Sequence, residues 1–397
     1  MITSAPLTVD VRDAHLTPDQ RELLAAAERQ AREVLAPLAA ADQRPGRVNR
    51  RIVSELADLG LLGRLFTRGR TGWRADISAL ELCLIREGLA RACTEAETAF
   101  AMQGLGSFPL LQFGVPEVVD EWIPLVARGD VVTAFALSEP QAGTDVAALS
   151  LRAVRDGDAW RLDGEKTWIS NAPDADLYVV FARSSDGPAA RGLTAFLVPG
   201  TAAGLTGEPI ELLSPHPIGR LTFDAVSVDP RHVLGDVDQG FAVAMQTLDM
   251  FRPSVGAFAV GMATAAIDAA VAYTAERQAF GGRLKDRQAI AHRLADIATR
   301  VQAARLLVHT AAAAYDAGVR PTTQAAAMAK LMATEVAQEA VDAAVQFHGA
   351  RALERGHLLE HLYREVRAPR IYEGASEIQR EIIARGLYSR VQEGQAS

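Results

Sequence analysis

Residues 371–380 read IYEGASEIQR and place one carboxylate, Glu373, between an aromatic ring and a glycine. Tyr372 can shield this carboxylate from water, and Gly374 leaves room for a close approach, just before an apolar-periodic helix. Desolvation raises the pKa of a carboxyl group and makes it a better proton acceptor. The stretch therefore indicates a base that takes a proton from carbon. A solvated loop glutamate before a helix capped by Ser376 is the alternative interpretation.

Composition narrows the class of protein. A length of 397 residues predicts two or three domains, and abundant alanine with other strong helix formers predicts a mostly helical chain. The net charge of −8 without a long basic run argues against nucleic acid or an anionic membrane as the main partner. We find no signal region and no apolar run near membrane-span length, which predicts a soluble cytoplasmic protein. Cys83 and Cys93 lie in helical patterns and are expected to be buried thiols.

The chain changes character twice and predicts three domains, at residues 1–130, 131–239 and 240–397. A capping box at residues 17–20 opens the first helix, Asn49 can cap another, and no convincing strand precedes residue 127. Short β-rich runs follow at 132–137, 177–182, 193–198 and 221–228, with a hairpin predicted from 160–164 and 166–170. Long helices are predicted at 241–275, 286–317, 322–347 and 376–391. The order predicts a mostly α fold with a central β-domain, a small antiparallel barrel or sandwich.

Five segments recur together and in order along the chain. They are FALSEPQAGTD at 135–145, GEKTWISNA at 164–172, ERQAFG at 276–281, QFHG at 346–349, and the segment at 371–380. Together they resemble the acyl-CoA dehydrogenase family over nearly the whole chain. The resemblance implies an N-terminal helical domain, a small antiparallel β-barrel and a C-terminal four-helix bundle. It also implies FAD as cofactor, an acyl-CoA substrate and a homotetramer that passes electrons to an electron-transfer flavoprotein.

The resemblance also implies which residues contact FAD, and no metal site is predicted. Each segment has an ordinary structural alternative: a turn after a strand, a core tryptophan, a helix-end arginine or a helix C-terminus. The residues implied for the chain's own FAD are Phe135, Leu137, Ser138, Thr144, Trp168, Ile169, Ser170, Ala375 and Glu377. Those implied for the FAD of a neighbouring subunit are Arg277, Phe280, Gln288, Gln346 and Gly349.

The substrate side follows from the same resemblance. The residues that would bind the substrate are Thr144, Asp249, Arg252 and Gly374. For Asp249 and Arg252, the alternative is an i,i+3 salt bridge within one helix. Some family members carry the base at the position of Phe251, which cannot act as one, so the base falls to Glu373. Glu373 would remove the pro-R α-proton while the β-hydrogen leaves as hydride, giving a trans-2-enoyl thioester. The Gly374 backbone and the ribityl hydroxyl of the flavin would polarise the thioester carbonyl.

Several departures and rival functions stay open. Ala279, Ala350 and Ala375 stand where many members have a hydroxyl or a glycine, which could weaken FAD binding. The rivals are a desaturase or oxidase of a carrier-protein thioester, a non-redox lyase, and a non-enzymatic flavoprotein, which the acidic charge disfavours. The pocket floor is expected on the helix with Thr98, Met102 and Leu105. Without an arginine there, a dicarboxylyl substrate is disfavoured.

Overall fold

The structure is a computed structural model that describes residues 13–395 apart from 43, 45, 70–71, 75–77 and 188–189. Its first helix begins at the predicted capping box. The Thr17 hydroxyl accepts a hydrogen bond from the Gln20 N–H, and the Gln20 side chain accepts one from the Thr17 N–H. The Asn49 side chain caps a later helix by accepting from the Ile52 N–H. Both caps satisfy N–H groups that a helix leaves free at its start.

The N-terminal domain is helical, as predicted, but it also contains a small β-hairpin. Strands β1 (Thr67–Gly69) and β2 (Gly72–Arg74) pair antiparallel. The prediction of no strand before residue 127 is therefore wrong. Three-residue strands flanked by glycine are too short to show the alternation by which a strand is recognised in sequence. The helices are α1 (Pro18–Gln30), which continues through a π-turn (Ala31–Leu35), α2 (Ala36–Ala41), α3 (Arg50–Asp58), α4 (Ala79–Ala90), α5 (Thr94–Phe113) and α6 (Pro116–Ala127).

An eight-stranded sheet forms the central domain. Its strands are β3 (Thr133–Ala136), β4 (Arg152–Asp156), β5 (Ala159–Ser170), β6 (Leu177–Arg183), β7 (Leu193–Pro199), β8 (Leu205–Pro209), β9 (Ile218–Val228) and β10 (Val233–Leu234). They are ordered β10-β7-β6-β4-β5-β9-β8, with β3 pairing parallel to β6. Most pairs are antiparallel, so the predicted β-domain is confirmed, with parallel pairs of β6 to β3 and β4 added.

The hairpin predicted within residues 160–170 is wrong, because these residues form the single strand β5. Gly164 has φ +139°, and the pairing with β9 shifts register between Leu162 and Gly164. The glycine therefore marks a β-bulge that bends the strand rather than a turn that ends it. The actual hairpin joins β4 to β5 through a turn at Gly157, whose φ is +61°.

The C-terminal domain is a helical bundle, as predicted. Its long helices are α7 (Gly240–Glu276), α8 (Gln288–Asp316), α9 (Thr323–His348) and α11 (Ser376–Gln395), and the sequence did not predict the short α10 (Leu358–Glu365). Between α7 and α8 lies a small hairpin of β11 (Gln278–Ala279) and β12 (Gly282–Arg283). The α7 helix packs against α9 and α8, and also against α4 of the N-terminal domain. This contact joins the two helical domains.

Helix α7 is apolar on almost every side. In the described part of the chain it alone is long and apolar enough to cross a membrane, but 72% of its most apolar window is buried inside the protein. The expectation that no apolar run approaches this length is wrong for α7, whose apolar surface forms core. Cys83 and Cys93 are buried free thiols, as predicted.

Close packing joins the first two domains where α5 lies on β3. A methyl group at Gly106 would lie 2.6 Å from Thr133 Oγ1 and 2.8 Å from the backbone nitrogen of Ala134. We expect Gly106→Ala to lower the free energy of unfolding by about 1–3 kcal/mol, because the strand backbone cannot move aside. Urea unfolding measures the change. Gly63→Ala, with open space around the added methyl, should be near neutral; equal losses in both variants would contradict this account.

Candidate active site

Glu373 lies in a loop between a short 3₁₀ turn (Ala368–Arg370) and α11. Its φ is +50° and that of Gly374 is +92°, so two consecutive residues adopt the left-handed region. Such a conformation is costly for a residue with a side chain and persists only when its surroundings hold it. Within the described residues, the backbone N–H groups of Glu373 and Gly374 have no hydrogen-bond acceptor. The loop therefore presents two free backbone donors beside the candidate base.

The carboxyl group of Glu373 suits proton abstraction. Its Oε2 atom is buried and has no hydrogen-bond partner among the described residues. Burial raises the pKa of this carboxyl group, as the sequence predicts. The positive charges that oppose the rise belong to Arg86, Arg252 and Lys330. The result is an unpaired carboxylate in a desolvated, positively charged surrounding.

Two of the predicted substrate residues lie on α7 and pair with each other. Arg252 is buried, and its Nη1 donates to Asp249 Oδ1 at 3.1 Å. Its Nε lies 3.5 Å from the carbonyl oxygen of Glu373. The i,i+3 salt bridge is thus present, and Arg252 also reaches the base's own loop. These contacts place Arg252 as a support for the loop, while its predicted contact with substrate stays a prediction.

The ring of Phe251, at the position for which the resemblance implies a base in other members, is core. It is 2% exposed and packs edge-on against Phe108 of α5, with ring centroids 5.9 Å apart. A methyl group added to Gly104 would lie only 2.9 Å from the ring. The packing leaves no room for a titratable group to act there. Position 251 therefore offers no alternative base, and Glu373 stays the candidate.

A buried charged pair beside the base was missed by the sequence analysis. Arg86 of α4 donates through Nε to Glu97 of α5 and through Nη1 to Ser254 of α7 at 2.6 Å. Arg86 and Glu97 are almost fully buried, and both interact electrostatically with Glu373. The sequence feature that could have revealed them is their position in helices that are apolar along almost their whole length, because a charged residue in such a helix has no solvated face to lie on. The expected absence of an arginine concerned α5 alone, whereas Arg86 comes from α4.

Two of the segments predicted to hold the chain's own FAD, 135–145 and 164–172, come together around one end of β5. The Ser138 carbonyl accepts from the Thr167 N–H at 3.0 Å. A buried ion pair of 2.8 Å joins Lys166 to Glu139, which also accepts from the Ser150 and Leu151 N–H groups. Burial lowers the pKa of Lys166 to about 8, so it stays charged at neutral pH. This network fixes the 135–145 loop against the strand.

The side chains at this end of β5 differ in accessibility. Trp168 is 51% exposed with φ +56°, and Thr144 is exposed beside open space at Gly143. Ser170 Oγ bonds to Nε2 of His216 at 2.8 Å, a partner that the sequence did not predict. Burial lowers the pKa of His216 to about 4, so the ring is neutral at pH 7. The others are the half-buried Phe135 and the buried Leu137 and Ile169.

The residues predicted to reach a neighbouring subunit lie elsewhere on the surface of the chain. Phe280 is 95% exposed in the loop after α7, where Arg287 donates to its carbonyl at 2.8 Å. Arg277 lines a shallow depression with Arg351, and Gly349 ends α9 with φ +66°. Gln288 and Gln346 are exposed at helix ends. Glu377 and Ala375 were instead predicted to contact the chain's own FAD; Glu377 is exposed at the start of α11 and Ala375 is half-buried. An apolar ring as exposed as Phe280 fits a contact with a second chain.

Family models match the chain in three consecutive blocks. The N-terminal domain of acyl-CoA dehydrogenase matches residues 17–130, the middle domain 134–226 and the C-terminal domain 238–388. The chain belongs to the acyl-CoA dehydrogenase family. This confirms the resemblance carried by the five segments and makes the protein an oxidoreductase that acts on CH–CH bonds.

Individual relatives of this acyl-CoA dehydrogenase agree along nearly their full length. The cyclohexane-1-carbonyl-CoA dehydrogenase of Geobacter metallireducens is 36% identical over 360 residues, 90% of this chain and 94% of the relative. The mitochondrial short-chain specific acyl-CoA dehydrogenase of Mus musculus is 38% identical, covering 89% and 86%. The structure of butyryl-CoA dehydrogenase from Megasphaera elsdenii has a TM-score of 0.87 at 31% identity, covering 94% and 99%.

Glu365 of α10 gives the site region a testable pH dependence. It is buried, and burial raises its pKa to about 7. The Glu365 carboxyl group therefore holds its proton more tightly in the folded state than in the unfolded chain. The free energy of unfolding falls as pH rises from about 4.5 to about 7, because the buried group must then be charged. We expect Glu365→Gln to show a smaller fall in Tm between pH 5 and pH 8 than the wild type, measured by thermal unfolding.

The matched control lies on the same helix. Glu360 pairs with Arg364 at 2.7 Å, which lowers the pKa of Glu360 against the effect of burial. Its contribution has the opposite sign, present above the unfolded pKa and lost in acid. Glu360→Gln should therefore lower the Tm at pH 7 and lower it less at pH 4. Parallel pH profiles for both variants would contradict the assignment.

Proposed function

We propose that this protein oxidises the Cα–Cβ bond of an acyl-CoA to the trans-2-enoyl thioester, with FAD as cofactor. The observation that carries the proposal is Glu373, whose buried Oε2 has no partner and whose pKa is raised by burial. A proton on carbon is removed best by a base that is desolvated and positioned close to it. The left-handed loop supplies that position.

The chain's own residues account for the proton half of the reaction. Glu373 Oε2 takes the α-proton, and negative charge then develops on the thioester carbonyl oxygen. The free N–H of Gly374, next to that of Glu373, donates to this oxygen and stabilises the charge. The buried Phe251 ring leaves no titratable group at that position of α7.

The residues around β5 fit a large flat cofactor. Trp168 offers an exposed aromatic face, Gly143 leaves open space, and the hydroxyls of Ser138, Thr144 and Ser170 supply polar contacts. FAD bound here would supply the acceptor for the hydride that leaves Cβ. The Ser170–His216 bond orients the serine hydroxyl for such a contact. The alanines at 279, 350 and 375 carry no hydroxyl, so their side chains would offer FAD no hydrogen bond.

We further propose that FAD binding is completed in a homotetramer and that an electron-transfer flavoprotein takes the electrons. The exposed Phe280 and Arg277 support the first part, since both side chains are accessible to a second chain. Family membership supports the second. The names of the relatives favour a compact acyl group, either a short chain or a six-membered ring. We also propose that the reaction takes place in the cytoplasm.

Glu373→Gln tests the base directly. The amide keeps the shape and the hydrogen-bonding reach, but it cannot accept the α-proton. Flavin reduction should fall by at least roughly 10²–10⁴-fold, measured in anaerobic single turnovers with saturating butyryl-CoA or cyclohexane-1-carbonyl-CoA. FAD content should be unchanged. Glu381→Gln, at an exposed position of α11, should reduce its flavin normally. A Glu373→Gln enzyme that reacts at wild-type speed would show that another group is the base.

Arg277→Ala tests whether the cofactor site is shared between chains. If Arg277 contacts the FAD of a neighbouring subunit, the variant should lose FAD and dissociate together. The ratio of flavin absorbance to protein absorbance, read alongside sedimentation velocity, measures both. Arg128→Ala, exposed on the N-terminal domain, should change neither. A monomer that retains FAD at every concentration would rule the shared site out.

A further inference from the structure

We infer that Lys330, a fully buried lysine on α9, is a positioning residue that holds the Glu373 loop and keeps a positive charge beside the base. The inference rests on the proposed role of Glu373 as the group that takes the α-proton. Lys330 lies in an alanine-rich stretch of α9 and is 0% exposed. A charge buried at such a position is costly unless it serves a partner.

The hydrogen bonds show what Lys330 holds. Its Nζ donates to the carbonyl oxygen of Gly374 at 2.8 Å. Nε2 of Gln379, which is also fully buried, donates to the same oxygen at 2.8 Å. One carbonyl thus receives two donors, one from α9 and one from α11. The preceding carbonyl, that of Glu373, lies 3.4 Å from Gln379 Nε2 and 3.5 Å from Arg252 Nε.

These donors explain how the loop keeps its unfavourable backbone. Glu373 has φ +50°, which a residue with a side chain adopts only when its neighbours enforce it. Fixing the Glu373 and Gly374 carbonyls fixes the peptide units on both sides of Gly374. The direction of the Gly374 N–H, proposed to face the thioester carbonyl, is then fixed as well. Loss of the Lys330 bond should let the loop relax and move the carboxylate away from the substrate.

The charge of Lys330 has its own role. Lys330 makes no salt bridge within the described residues, and the acceptor of its hydrogen bond is a neutral carbonyl. The charged groups that face it are Glu373 in the loop, Arg252 on α7, Glu335 on α9 and Glu377 on α11, with Glu373 the strongest partner. Glu335 is already bound by Arg370 and Ser376. The ammonium group therefore favours the charged form of Glu373 and partly offsets its burial.

Three substitutions distinguish a purely structural role of Lys330 from the proposed role of its charge and its hydrogen bond. Lys330→Gln keeps a donor for the Gly374 carbonyl and removes the charge. Lys330→Met removes both but suits the buried position, because replacing a buried charge by an apolar side chain is often tolerated. Lys330→Arg keeps the charge with a longer side chain. Asp342→Asn is the control, since it removes one charge from an exposed position of the same helix.

The experiment is the pH profile of anaerobic flavin reduction by saturating acyl-CoA, on the flavin-loaded oligomer between pH 5 and pH 9. In Lys330→Gln and Lys330→Met the acid limb should move to higher pH, because the carboxylate has lost a favourable charge. The alkaline change caused by deprotonation of Lys330, whose pKa burial lowers to about 8, should be absent from both. Lys330→Arg and Asp342→Asn should keep the wild-type acid limb. The plateau rate should be lowest for Lys330→Met.

Each outcome decides the inference. An acid limb in Lys330→Gln and Lys330→Met that coincides with the wild type, even at lower rates, would reduce Lys330 to a structural residue and overturn the role of its charge. A plateau rate unaltered in Lys330→Met would overturn its positioning of the loop. Neither result contradicts the proposed function. The proposed function is contradicted by a different result, flavin reduction at wild-type speed in Glu373→Gln.

Discussion

The fixed carbonyls of the Glu373 loop are the constraint on which the active site depends. Two consecutive left-handed residues place the Glu373 carboxyl group and leave two backbone N–H groups without an acceptor among the described residues, yet this conformation has no stability of its own. Side chains from α7, α9 and α11 donate to the two carbonyls and maintain it. The packing of these helices is therefore a requirement of the chemistry, since a shift of any one would release a donor.

Buried charges tie the domains together in the same manner. Arg86 and Glu97 connect α4 and α5 with Ser254 of α7, next to the base. Glu87, the next residue of α4, accepts a hydrogen bond from Nε of Arg305 of α8 at 2.7 Å. Removing one partner of such a pair leaves an uncompensated buried charge, which is strongly unfavourable. These pairs specify how the N-terminal helices sit on the bundle, and the Arg86–Glu97 pair places its charges beside Glu373.

Sequence reasoning predicted the order of helical and β regions and the long helices, because each depends on local pattern, and it singled out Glu373 as the candidate base from a segment quoted whole. It failed where a residue's role depends on distant contacts. Gly164 looked like a turn because the register shift opposite β9 is not visible in one strand. Lys330 looked like one polar residue in an alanine-rich helix, since its acceptor lies 44 residues away along the chain. His216 and Arg86 were missed for the same reason.

The two halves of the site differ in how complete they are within one chain. In the proton half, the carbonyl of Gly374 is held by the buried side chains of Lys330 and Gln379. The cofactor half presents Trp168 at 51% exposure and Phe280 at 95%, and such apolar surface is costly in water. Burial of these rings against FAD and a second chain would recover that free energy. Assembly and cofactor binding should therefore favour each other.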